Sequence, residues 1–453
     1  MEVQNSQFTL LTKRRFAPLF ATQFLGALND NLFKNALLVI VVSQMVSVAG
    51  NSANFFTNLA VGLFILPYLL FSTTAGQLAD KFDKALLIRR IKLAEVLIML
   101  CGCFALYSLN LYLMLGILFL LGLQSTFFGP LKYAVIPQHL HANELLAGNA
   151  QVAMGTFVSI LLGTLIGGWV VTLPNGRFYL GIATVGVAIL GWLCSRAIPE
   201  APATDSSKMT WNPLRDTMSN FALIRHNRSV FYCVLSISWF WLFGGCFLTQ
   251  VPNFAVTVLH GEPQLISVLL AAFITGIASG CLLCTKLSGE QVEPGIIPLG
   301  ALGLSVFSID LYFSSSSYQA TFEFLTPVTA IQFIGLWEGL HILLDLICIG
   351  LFGGFFIVPL YTIVQQRTDS RQRARVIAAN NIMNAVFMVS GSLIGMACLS
   401  LLGWTIPEFF LFMALLNAAV LTCILYRVPE FTQRCSAWLK ANIATLRKNR
   451  RQH

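Results

Sequence analysis

The stretch GALNDNLFKNAL, residues 26 to 37, sets Asp30, Asn31 and Lys34 inside an apolar segment long enough to cross a bilayer. A charge at the centre of such a helix costs roughly 2.5 to 3.5 kcal/mol on insertion scales, so it needs a partner or a water-filled path. Asp30 and Lys34 are four residues apart and can pair along one helix face. Such a pair suits a zwitterionic ligand or a proton-sensitive switch, the alternative being a self-neutralised pair with no ligand. Gln23, Asn31 and Asn35 add polar groups to the same helix. Further candidates are Gln124 and Ser125, Gln151, Gln250, and Asn380, Asn381 and Asn384, each a ligand-facing group or an interhelical hydrogen-bonding one. Lys92 and Glu95, three apart near the start of the third apolar run, read as a structural pair near the cytoplasmic interface. Asp310 and Asp345 read as interfacial.

These residues require a membrane-spanning frame. The chain is 56% hydrophobic and 10% charged, with mean hydropathy +0.75, whereas soluble domains carry about 25% charged residues. That excludes a large soluble domain. Apolar runs predict helices at 16–46, 53–79, 85–108, 111–133, 146–172, 177–196, 229–258, 264–287, 294–313, 342–364, 373–402 and 406–427, an all-α membrane protein of twelve spans. Lys13, Arg14, Arg15, Lys81, Lys84, Arg215, Arg225, Arg228, Arg367, Arg371, Arg373 and Arg375 then fall on one side, and Arg177 alone on the other. By the positive-inside rule both termini are cytoplasmic. The net charge of +9 reflects this orientation and not a nucleic-acid partner. The first apolar run exceeds a signal peptide's core and lacks a cleavage pattern, so no cleavable signal is expected. Cys281 and Cys284 form a CxxC within a span and read as packing residues.

The chain divides at 197–228, a polar linker with Pro199, Pro202 and Pro213. The expected organisation is a six-helix bundle over 1–196, the cytoplasmic linker 197–228, a second six-helix bundle over 229–427, and a basic amphipathic tail over 428–453. The halves echo each other. GPLKYAVIPQ at 129–138 leads through Ala147-Gly148-Asn149 to GTLIG at 163–167, and VPLYTIVQQ at 358–366 leads through Ala378-Ala379-Asn380 to GSLIG at 391–395. Parallel repeats of six helices resemble the plan of the major facilitator superfamily, in which the substrate site lies between the halves near the midplane. GQLADKFDK at 76–84 resembles that superfamily's loop motif between helices 2 and 3. Gly76, Asp80, Lys81 and Lys84 match, while Asp83 replaces a glycine. Physically, Gly76 would let helices approach, and Asp80 would sit on a helix N-terminus or an Arg as a conformational latch.

FLGALNDNLFKNAL, STFFGPLKYAVIP, ILLGTLIGG and GGFFIVPLYTIVQQR resemble the bacterial lysophospholipid transporter family, and most closely the transporter portion of proteins fused to an acyltransferase and an acyl-carrier-protein synthetase. The resemblance spans most of residues 16 to 427. It implies a major-facilitator transporter, without cofactor or metal, that moves lysophospholipid such as lysophosphatidylethanolamine across a bacterial inner membrane for re-acylation. The alternative is a proton-coupled exporter of another amphiphile, a siderophore or drug. Implied partners are the lipid substrate, membrane lipids and an acyltransferase or acyl-carrier-protein synthetase; a monomer is expected. Asp30 and Asn31 match the family's polar pair, and Lys132 with Tyr133 its PxKY segment. The family's acidic residue early in helix 5 is absent from Ala153-Met154-Gly155-Thr156, and Cys246 stands where single-function transporters have an Arg, leaving Lys34 and Gln250 to substitute. Trp239, Phe240, Trp241 and Phe243 could cradle an acyl chain or pack in the core. No enzyme is expected: His341 to Asp345 falls one residue short of the HxxxxD spacing of glycerolipid acyltransferases, and there is no P-loop or HExxH. Residues 314–341 read as an outer-face interfacial insert, and the tail from Phe431 as a helix lying on the anionic leaflet.

Overall fold

The computed structural model describes residues 7–45, 50–207, 209, 212–289, 292–321 and 326–450. Among them twelve helices are long and apolar enough to cross a membrane, and the β-structure is one isolated bridge between Gly261 and Val328. Helices close their own backbone hydrogen bonds, which hydrocarbon cannot satisfy. The chain groups into two compact units, Met1–His226 with Gln365–Val386, and Asn227–Val364 with Phe387–His453.

In the first unit a 3-10 turn, Gln7–Thr12, precedes α1 (Ala17–Met45), α2 (Gly50–Lys81), α3 (Lys84–Ser108), α4 (Leu111–His139), α5 (Leu145–Val170), α6 (Gly176–Arg196) and α7 (Pro213–His226). Helix α1 packs along α5 and α6, α2 along α4, and α3 along both α4 and α6. Without a hydrophobic driving force between helices in lipid, close approach depends on small residues. Gly163 of α5 faces the backbone of Leu28 and Leu32, and Gly122 of α4 faces that of Phe64. Phe33, Leu37, Met99, Leu106, Leu118 and Leu121 fill the core. The Asp83 carboxylate caps α3 by accepting the Leu86 N–H at 2.7 Å, and Asn110 caps α4 through the Leu113 N–H at 3.0 Å.

The linker is held on this unit rather than hanging free. Lys84 N–H donates to Ala201 O at 2.8 Å, Ala201 N–H to Asp83 Oδ2 at 3.1 Å, and Arg89 to Ile198 O at 2.8 Å. At the N-terminal side, Glu144 accepts from Arg15 at 2.5 Å and Lys13 at 3.4 Å. Burial works against ionisation of Glu144, but the His141 N–H and the Arg15 and Lys13 cations outweigh it and hold the carboxyl below its usual range.

The second unit contains α8 (Arg228–Asn253), ending in a π-helical turn at Phe254–Val258, then α9 (Pro263–Leu287), α10 (Ile296–Thr321) and the short α11 (Ala330–Gly335). There follow α12 (Trp337–Arg367), whose last turn belongs to the first unit, and α13 (Arg373–Met396), whose first half does. The chain ends with α14 (Ile406–Arg427) and α15 (Pro429–Arg450). Helix α10 packs on α14 as α3 does on α6. Gly276 and Gly280 of α9 face the backbone of Ile347 and Leu351 in α12, as Gly122 does that of Phe64. A buried network ties three helices together: Trp239 Nε1 donates to Asn417 Oδ1 at 2.7 Å, and Asn417 Nδ2 donates to Ala301 O at 2.8 Å and Ser305 Oγ at 2.9 Å.

Several boundaries differ from the sequence expectation, three of them informatively. Helix α4 continues to His139 rather than 133, carrying Pro130 and Pro137 within it. Helix α10 runs to Thr321 rather than 313, its Ser315, Ser316 and Thr321 hydroxyls accommodated by bonding back to the carbonyls of Leu311, Tyr312 and Ser317. Helix α12 begins at Trp337 rather than 342. The insert expected over 314–341 is thus largely helix; its residues 322–325 lie outside the described ones. The tail forms α15, with Phe431 buried, Trp438 Nε1 donating to Leu287 O at 3.0 Å and Arg434 pairing with Glu293 at 3.2 Å.

Candidate functional site

The polar residues of α1 meet those of α3 and α4 inside the first unit. Asp30 is buried and accepts from Gln124 Nε2 at 3.2 Å and Ser125 Oγ at 2.5 Å. Lys34 donates instead to Asn31 Oδ1 at 2.8 Å and lies 5.6 Å from the Phe64 ring centroid. The expected Asp30–Lys34 ion pair is therefore not the arrangement found: each charge is held by neutral groups that consume only part of its bonding capacity. Asn31 also donates to Ala27 O at 2.8 Å, and Asn35 ties α1 to Thr164 of α5 at 3.1 Å.

Lys92 and Glu95 form the structural pair expected from their spacing, buried within the first unit. Both are about 1% exposed and paired at 2.6 Å, with Asn29 Nδ2 donating to Glu95 at 3.1 Å and Lys92 lying 4.6 Å from the Phe128 ring centroid. They belong to the buried cluster around Asp30. Gly26 explains itself here, because any side chain at that position would strike the Lys92 ammonium. Lys132, half-buried over the Tyr133 ring at 4.9 Å, has no hydrogen-bond acceptor among the described residues. Asp30 is within electrostatic reach of Glu95, Lys92 and Lys34, and Lys132 of Lys92 and Asp30. Three ammonium groups against two carboxylates leave one positive charge in excess. The Gln124 Oε1 and Asn29 Oδ1 atoms are buried acceptors lacking a donor among the described residues.

The remaining candidates scatter. Gln23 accepts from Thr156 at 3.0 Å and sits between α1 and α5. Gln151 donates to Gln7 O, so it anchors the N-terminal turn instead of facing a ligand. Gln250, near the end of α8, accepts from Asn253 at 3.4 Å. Asn380 is buried with neither amide atom hydrogen-bonded among the described residues, and Asn384 is buried on the same helix. Trp239 and Phe243 are core: Phe243 stacks on Phe247, which stacks on Phe410 at 4.3 Å. Cys246 is buried and donates to Gly391 O at 3.5 Å. Cys281 and Cys284 are free and buried.

The loop motif forms a second constellation. Asp80, fully buried, accepts the N–H groups of Ala374 at 3.1 Å and Arg375 at 3.2 Å, and Arg375 Nε lies 3.7 Å away. It thus sits on the N-terminus of α13, where unpaired N–H groups and the helix dipole favour an anion. Gly76 lets the helices meet, since a Cβ there would lie 2.6 Å from Ala378 Cβ and 3.0 Å from Ala374 O. Lys84 donates to Pro202 O at 3.1 Å, and Asp205 pairs with Arg375 at 3.7 Å. Asp83, in the place of a glycine, caps α3 and holds the linker. Sequence reasoning missed Gln365: it accepts from Asn149 at 2.6 Å and donates to Asn149 at 3.1 Å and Tyr133 O at 3.1 Å. The shared Ala-x-Asn repeat was the signal available for it.

Twelve helices long and apolar enough to cross a membrane, with ionisable groups buried among them, mark a multi-pass membrane protein. The family model of the Major Facilitator Superfamily matches residues 19–342, and the chain belongs to that superfamily. It is 24% identical over 386 residues to the lysophospholipid transporter LplT of Klebsiella pneumoniae, covering 80% of this chain and 88% of that one. It is also 24% identical over 398 residues to LplT of Photorhabdus laumondii, covering 84% and 87%. Among solved structures, the E. coli fucose:proton symporter FucP superposes with TM-score 0.66 at 16% identity over 91% of this chain and 98% of that one. The human organic anion transporter MFSD10 gives 0.68 at 12% identity over 91% and 99%. Both likenesses carry the fold.

Proposed function

We propose that this chain carries lysophospholipid, such as lysophosphatidylethanolamine, from the outer to the inner leaflet of a bacterial inner membrane for re-acylation, acting as a monomer with both termini cytoplasmic. The carrying observation is the buried cluster of Asp30, Lys34, Lys92, Glu95 and Lys132 in a relative of LplT proteins. Its excess positive charge suits a phosphodiester, and Asp30 suits the ammonium of ethanolamine. Lys34 and Lys132 have donors to spare, while the Lys92–Glu95 pair, locked by Asn29, positions the site. Asn31, Gln124 and Ser125 orient the two working charges. Gly76, Asp80, Lys81 and Lys84 serve as the latch of one access state. An acyltransferase or acyl-carrier-protein synthetase consumes the delivered lipid.

The test is uptake of labelled lysophosphatidylethanolamine by spheroplasts with and without the protein. Faster conversion to the diacyl lipid is expected; equal rates at verified membrane levels would sink the proposal.

A further inference from the structure

The second unit holds a cluster that a lipid headgroup site in the first does not use. Asp310 lies on α10, and His341 and Asp345, four residues apart, share a face of α12. His341 Nε2 is 3.1 Å from Asp310 Oδ2 and 4.0 Å from Asp345 Oδ1, and one donor atom from each residue lies within 4.8 Å of the other two. Asp345 is 1% exposed. Its Oδ2 accepts the Ser314 hydroxyl at 2.7 Å, while Oδ1, aimed at His341, has no hydrogen-bond partner among the described residues. The side chains of Asp310 and His341 are 43% and 37% exposed, which leaves the cluster open to an entering ion.

Two carboxylates facing one imidazole are electrostatically incomplete. Even a charged His341 leaves a negative charge uncompensated beside a buried group, which is costly. A divalent cation on neutral imidazole balances both carboxylates. Zinc bonds of about 2.0 to 2.2 Å put tetrahedral donors roughly 3.3 to 3.6 Å apart. The 3.1 and 4.0 Å separations bracket that range. One nitrogen and two oxygens suit Zn2+ and its neighbours rather than a soft ion, and Ser314 supplies the outer hydrogen bond that orients a ligating carboxylate.

We propose that Asp310, His341 and Asp345 form a divalent-cation site of the Zn2+ class that staples α10 to α12, its remaining position open to water. His341 and Asp345 lie one and two turns from the start of α12, about 6 and 12 Å along its axis, so the staple fixes that end of the helix against α10.

The test titrates Zn2+ and Co2+ into the full chain purified in detergent without a polyhistidine tag. One equivalent should bind and raise the thermal midpoint, and bound Co2+ should show visible d–d absorption without a thiolate charge-transfer band. Asp310→Asn and His341→Ala should each weaken binding by about ten-fold or more. His341→Cys should keep binding and add a thiolate-to-Co2+ band, which only a ligand at position 341 can produce. Absence of saturable binding to the wild-type chain would overturn the proposal, as would a thiolate band in the wild type or binding indifferent to all three substitutions. A thermal midpoint that moves with acidification and not with Zn2+ would assign the cluster to protons and overturn it equally.

Discussion

Replacing Asp80 by Asn isolates the electrostatics of the proposed latch, because the shape is kept and the charge removed. In the native protein two backbone N–H groups at the start of α13 donate to this carboxylate at 3.1 and 3.2 Å. A hydrogen bond to a charged acceptor contributes about 1.5 to 3 kcal/mol, and an anion on a helix N-terminus up to about 2 kcal/mol. Asn retains one acceptor oxygen but turns an NH2 towards the second N–H, so the net loss is about 2 to 4 kcal/mol. At 1.4 kcal/mol per decade this is roughly a 30- to 700-fold rise in the population in which the first turn of α13 is released. Hydrogen exchange should report it directly: peptides covering 372–380 should exchange faster within that range, while those from α3 and α6 stay unchanged. Gly76→Ala should give the same local signature by a steric route, since its Cβ would meet Ala374 O and Arg375 Cα at 3.0 and 3.1 Å. Unchanged exchange at 372–380 in Asp80→Asn, or an equal rise across the whole first unit, would refute the reasoning.

Lys92→Met and Glu95→Gln should each cost about 3 to 5 kcal/mol by stranding a buried charge, whereas the double substitution should recover much of it; thermal midpoints in detergent measure all three. Asn417→Leu removes the acceptor for Trp239 and the donor to Ala301 O and Ser305, and should cost roughly 2 to 4 kcal/mol, read in the same assay. Glu144 has a depressed carboxyl, so its contribution is complete above the ordinary glutamate range of about 4.3 and is lost as pH falls through the depressed value. Glu144→Gln should lower the midpoint at neutral pH and flatten its decline on acidification; identical profiles for both proteins would contradict this.

The twelve spans and the seat of Asp80 on a helix N-terminus were legible because both rest on local regularities. Apolar run length reports a span, and the 76–84 spacing carries Gly76 and Asp80 to one end of α2. The α10 boundary was not legible, since Ser314 to Ser317 look like a loop until the hydroxyls of Ser315 and Ser316 are seen to bond back within the helix. Lys92 and Glu95 sit two to three turns into α3, where their spacing announces a pair but not the burial around it. The linker residues Ile198 to Pro202 cover that end of the helix, and no periodicity announces that. Asp30 and Lys34 illustrate the limit of the four-residue rule. It fixes a shared face, but which groups on α4 reach Asp30 first is a tertiary matter, and Gln124 and Ser125 do. Gln151 likewise has a partner that spacing does not name, the carbonyl of Gln7.

The most direct test of the central claim is transport of labelled lysophosphatidylethanolamine by Asp30→Asn, Lys34→Met and the double variant, with membrane levels and detergent elution profiles matched to wild type. Because the two charges are held by separate neutral partners, each single change should reduce transport, and the double variant should be no better than the worse single one. Wild-type transport in the double variant would show that the two charges merely cancel each other and would contradict a headgroup site built on them.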